Sequence, residues 1–142
     1  MRRVKIQVSG VQHLAEQNEE NFELLTDGKY TRTADGDSVF TYRESEITGM
    51  GDTVTTFRIG KNGVITLARE GEYNSVMRFE PGKSDTTIMY NTPFGSFALD
   101  INTRLAKADF DNNGGVLELE YSLDSGHMFV GKSKLNIVVS KE

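Results

Sequence analysis

Side-chain character alternates with a period of two along most of this chain. Val4, Ile6 and Val8 fall on one side, and Lys5, Gln7 and Ser9 on the other. The same beat returns in Phe97, Leu99 and Ile101, in Leu117, Leu119, Tyr121 and Leu123, and in Leu135, Ile137 and Val139. That period belongs to a strand with one buried face, whereas a helix needs apolar residues three and four apart. No segment of ordinary helix length carries such a stripe. Turn signals punctuate the alternation at Asp27-Gly28, Asp35-Gly36, Asn62-Gly63, Pro81-Gly82 and Asn112-Asn113-Gly114. The chain is therefore all-β.

The expected order starts with a strand around Val4–Ser9 and a long polar hairpin loop from His13 to Asn21. Phe22–Thr26 follows, then a turn at Asp27-Gly28 and a short strand at Lys29–Thr33. Ser38–Thr48 and Thr53–Ile59 come next. A strand through Ile65, Leu67 and Arg69 leads to Tyr73–Glu80, then to Thr86, Ile88 and Tyr90. A bend at Asn91–Gly95 precedes Phe97–Ile101. Leu105–Asp111 alternates less clearly, and two strands complete the chain. Roughly 8–10 strands in sequential hairpins favour closure, because closure removes exposed edges. The expectation is one domain over residues 1–142, a closed antiparallel up-and-down β-barrel.

Charge and composition narrow the function. The 142 residues carry a net charge of −5 and no cysteine. Disulfides, zinc-thiolate sites and thiol catalysis are excluded. The acidic average and the lack of a compact Lys/Arg run argue against nucleic acid and anionic membrane surfaces. Met1-Arg2-Arg3 resembles the start of a signal peptide, but no apolar run follows it. A cytoplasmic bacterial-type protein is expected.

Two motif matches fail on context. Asp109-Phe110-Asp111-Asn112-Asn113-Gly114 with Glu120 fits the EF-hand calcium loop, yet that loop must enter a helix. Leu117, Leu119 and Tyr121 have strand spacing. Gly126 to Ser133 fits the phosphate-binding P-loop, which must also open a helix. Leu135, Ile137 and Val139 read as a strand. His13 and His127 lack neighbours at ligand spacing. No metal or cofactor is expected.

Polar residues that share a face with apolar ones are the candidates for function. Glu44 and Glu46 follow Phe40 and Tyr42, Arg69 follows Ile65 and Leu67, and Tyr90 follows Ile88. Met77 is in phase with Phe79. If these faces point inward, the charges lie inside a barrel or at its mouth, where they must be paired or hydrogen-bonded. Glu46 with Arg69 is the expected pair, with hydroxyls from Tyr42 and Tyr90. Such a pair fixes strand register or anchors a ligand. Tyr42, Glu44, Glu46, Arg69, Met77 and Tyr90 form the candidate lumen site. The ligand would be a small amphipathic or anionic molecule held by Arg69. Two alternatives compete with it: an interaction module with a packed core, and a hydrolase-type enzyme using Glu44 and Glu46. Residues two apart on a strand lie roughly 6.5–7 Å apart at Cα, within reach of a glycosidase-like carboxylate pair.

Several segments together resemble a known family. They are Tyr42-x-Glu44-x-Glu46-Ile47-Thr48-Gly49, Thr55-Thr56-Phe57-x-Ile59, Val64-x-x-Leu67-x-Arg69-x-Gly71-Glu72 and Met77-x-Phe79-Glu80-x-Gly82. Tyr90-x-Thr92-Pro93-x-Gly95 and Gly114-Gly115-x-Leu117-x-Leu119-x-Tyr121-x-Leu123 complete the set. Their serial order is similar to that of the YwiB-like family, small bacterial proteins carrying a domain of unknown function. The resemblance covers essentially the whole chain. It implies a calycin-like barrel, akin to lipocalins and fatty-acid-binding proteins in architecture. It implies no activity, cofactor or catalytic residue.

Overall fold

A computed structural model describes residues 1–16, 18–44, 51–72, 74–80, 84–93, 95–126 and 128–142. Ten strands form one antiparallel sheet: β1 (Arg2–Leu14), β2 (Glu20–Arg32), β3 (Ser38–Arg43), β4 (Thr53–Ile59), β5 (Ile65–Gly71), β6 (Ser75–Phe79), β7 (Ser84–Thr92), β8 (Gly95–Asp111), β9 (Gly114–Ser125) and β10 (Met128–Lys141). Their spatial order is β6-β5-β4-β3-β2-β1-β10-β9-β8-β7. Every neighbour in that order is also a neighbour in the chain, apart from β1 and β10. Those two pair from Val4 with Lys141 to Leu14 with Gly131.

The sheet curls into a nearly closed barrel. Its seam lies between β6 and β7, where Asn74 and Asn91 exchange two backbone hydrogen bonds of 2.9 Å. No helix among the described residues is long and apolar enough to cross a membrane. Residues 109–120 form the β8–β9 hairpin, and Met128–Lys141 is a strand, so neither motif match opens into a helix.

Three sequence expectations need correction. Asp27-Gly28 is not a turn, because β2 runs straight through it. Asp27 faces outward beside Lys5, and their side chains meet at 2.5 Å. Gly28 faces inward where the wall is tightest. A Cβ there would lie 2.3 Å from Ile6 Cδ1 and 2.5 Å from the Thr41 carbonyl. The glycine serves close packing instead of reversal. The loop expected from His13 to Asn21 is shorter, since His13 and Leu14 end β1 and Glu20 and Asn21 begin β2. The weak alternation before Asp111 belongs to a single long strand, β8. A bulge between Thr103 and Leu105 inserts Arg104 and shifts the phase. Ala106, which packs against the core, then stands opposite Leu119.

Cross-strand register stacks the interior into rows. Ser38, Ile59, Ile65 and Phe79 make one row across β3 to β6, and Phe40, Phe57, Leu67 and Met77 make the next. Every one of these side chains is buried. Phe40 stacks on Phe57 at 5.0 Å between ring centroids and on Phe110 at 5.7 Å. Tyr30 stacks on Phe110 from the other side and donates its hydroxyl to the Asp111 carbonyl at 2.6 Å. This half of the lumen is filled with side chains.

Candidate ligand pocket at the barrel mouth

One pleat above the phenylalanine row, the interior becomes polar. Tyr42, Thr55, Arg69 and Ser75 are paired in register across β3, β4, β5 and β6. The alternation that buries Phe40 also buries Tyr42, since residues two apart on a strand share a face. The same rule carries Phe57 to Thr55 and Leu67 to Arg69. Glu44 and Thr53 form the next level, joined by a 2.8 Å hydrogen bond from the Glu44 N–H to the Thr53 carbonyl.

Glu44 is only 6% exposed. A carboxylate taken out of water must recover its hydration from the protein. Thr55 Oγ1 donates to Glu44 Oε1 at 2.7 Å. The Tyr42 hydroxyl lies beside the same carboxylate. Burial pushes the Tyr42 pKa far above its ordinary value, the nearby Glu44 charge pushes it further, and Arg69 opposes the rise. Tyr42 is thus a fixed neutral donor at any ordinary pH. At the end of the row, the buried Ser75 hydroxyl makes no hydrogen bond among the described residues.

Beside these groups lies a cavity of about 300 Å³. Tyr42, Glu44 and Arg69 line one side, and Val8, Phe22 and Leu135 the other. Gly10 leaves room for Phe22, whose ring would lie 2.8 Å from a Cβ at that position. Tyr121 is buried between them and packs on Phe79 with centroids 4.8 Å apart. Glu20 and Glu23 add negative charge to the lining.

The expected site residues separate into three groups. Tyr42, Glu44 and Arg69 come together at the cavity. Met77 is 1% exposed, belongs to the row below and does not line it. Glu46 and the Tyr90 side chain lie outside the described residues, and with them the expected Glu46–Arg69 pair. Sequence reasoning missed Thr55 and Tyr121. Both carried a signal, since each is a polar-tipped residue in phase with buried neighbours: Thr55 with Phe57 and Ile59, Tyr121 with Leu117 and Leu119. Among the described residues no group of three or more His, Asp or Glu side chains is placed to hold a metal ion.

Two further depressions lie elsewhere. One, of about 360 Å³, is lined by Val11, His13, Arg104, Lys132 and Lys134. The other, of about 730 Å³, lies between β8 and the β2–β3 and β4–β5 turns. Neither includes a charged side chain as buried as Glu44.

Comparison with known proteins matches residues 6–137 to a family model described as a domain of unknown function (DUF1934). The crystal structure of the ywiB protein from Bacillus subtilis has the same fold, with a TM-score of 0.83 at 22% sequence identity. The match covers 99% of this chain and 92% of that one. No curated protein is a significant match. Both matches agree with the resemblance read from the sequence.

Proposed function

This chain belongs to the DUF1934 family, and on that premise we propose that it binds a small amphipathic or anionic molecule at the mouth of its barrel. The observation that carries this reading is a cavity at the end of an otherwise packed lumen, lined by Tyr42 and Arg69 of the polar row together with Glu44. Buried charge is a poor way to stabilise a fold, since well-packed apolar side chains of similar volume serve as well or better. Charge held beside an open space is better explained as recognition.

The lining suggests the ligand's shape. Arg69 presents a planar fork suited to a carboxylate or phosphate. Val8, Phe22 and Leu135 offer an apolar wall for the rest of the molecule. The volume sits at the low end for ligand sites, which favours a compact metabolite over a long acyl chain. Thr55 already occupies a lone pair of Glu44, which suits a fixed acceptor better than a catalytic base. Ligand binding within calycin-like barrels lends support as a fold-level analogy only. The absence of cysteine fits an intracellular setting.

Native mass spectrometry of gently purified protein tests the reading. A co-purifying small molecule is expected, retained in part by Arg69→Lys and lost in Arg69→Leu. A bare wild-type mass, together with no change in thermal stability on adding organic anions of this size, would reject it.

A further inference from the structure

The strand β8 outruns its neighbour. Its pairing with β7 ends where Ser84 meets Asn102, while its pairing with β9 continues to Asp111 and Gly114. Among the described residues, no strand pairs with Ala106–Phe110 on the side away from β9. In an antiparallel pair, alternate residues turn their N–H and C=O away from the partner. Those groups form an unpaired edge.

The edge faces the depression of about 730 Å³. Ala106, Lys107, Ala108, Asp109 and Phe110 all line it. Successive side chains of a strand point to opposite faces, so a space touching five consecutive residues must run along the edge. The far wall is built from Arg32, Gly36, Gly60, Lys61 and Gly63. Ala106, Ala108 and the glycines leave room for another backbone to approach. Edges are commonly blunted by bulges, prolines or a covering loop. Between Ala106 and Phe110 there is no proline and no bulge, and the bulge at Arg104 lies just before this stretch.

We propose that this groove is a docking site for an extended acidic peptide of a partner protein, which adds as a strand to the free edge of β8. Backbone pairing supplies the affinity, as in other cases of strand addition. Charge supplies the choice of partner. Arg32 and Lys61 stand on the far wall, and Lys107 on β8 itself. No side-chain hydrogen bond or ion pair engages Arg32, Lys61 or Lys107 among the described residues, although Lys107 stands opposite Glu118 in the ladder. They are positive points on a chain whose net charge is −5. Asp109 and Glu118 also line the groove, so the acidic residues of the peptide belong on the face turned to Arg32 and Lys61. Five paired residues correspond to roughly 17 Å of strand.

The probe is a seven-residue peptide alternating glutamate with valine, followed by amide hydrogen exchange. Exchange at Ala106–Phe110 should slow on titration while the cavity at the mouth is unaffected. The double variant Arg32→Glu/Lys61→Glu should weaken binding by about tenfold or more, because two attractive contacts become repulsive. A peptide N-methylated at alternate amides should not bind. Equal binding of the methylated peptide would overturn strand addition, and indifference to the charge reversal would overturn the acidic partner. No protection of β8 by the peptide would overturn the whole proposal. So would protection that rises with protein concentration alone, which would make the occupant a second copy of this chain.

Discussion

Phe40 and Tyr42 share one strand face, two residues apart, and sit in different media. Phe40 lies between Phe57 and Phe110 with nothing polar to satisfy. Tyr42 shares a buried space with Glu44, Thr55 and Arg69. The backbone does not distinguish them, because the same ladder pairs Phe40 with Phe57 and Tyr42 with Thr55. The contrast is written wholly in side chains. One half of the barrel spends its interior on cohesion, and the other leaves part of it open and polar.

Three measurements test that contrast. The largest effect is expected from Phe40→Ala, which should lose about 3–5 kcal/mol in urea unfolding, the range for deleting a fully buried aromatic ring. A loss below about 1 kcal/mol would mean that the packed half is not packed. Thr55→Val, similar in shape, should lose about 1–3 kcal/mol by leaving the Glu44 carboxylate one donor short. A neutral result would show that water replaces the hydroxyl at the mouth.

The smallest effect appears only in alkali. Tyr42 is held protonated in the fold, whereas the unfolded chain ionises it near pH 10. Its contribution is fully present below that pH. Above it the folded state binds one more proton than the unfolded, so stability falls by about 1.4 kcal/mol for each pH unit. Tyr42→Phe should remove that part of the slope in unfolding measured from pH 9 to 11. An unchanged slope would place the hydroxyl in water.

Much of this was legible from alternation alone. Inward residues such as Val4, Ile6, Leu117 and Ile137 announce themselves because water and core sort side chains with a period of two. Tyr42, Glu44 and Arg69 were legible for the same reason, as polar residues keeping time with apolar ones. What escaped were features set by a neighbouring strand. Asp27-Gly28 has turn chemistry, yet the nearness of Ile6 and Thr41 decides what Gly28 does. Arg104 looks like any surface arginine until β9 shows it to be the extra residue of a bulge. Thr55 gains its meaning from Glu44, and no spacing rule links the two. Asn91 matters because it meets Asn74 across the seam, a contact invisible to local pattern.

The seam also divides the chain in time. The strands before it, β1 to β6, form one meander of hairpins, and β7 to β10 form another. Within each, every pairing is between chain neighbours and closes a short loop. Among the described residues, backbone pairing joins the two at the β1–β10 ladder and at the pair of bonds between Asn74 and Asn91, and side chains such as Tyr30, Phe40 and Phe110 pack across the lumen. The entropy of bringing distant segments together therefore falls almost entirely on one event, the docking of β10 against β1. Folding of this barrel becomes the joining of two independently written halves, and the first and last strands carry the commitment.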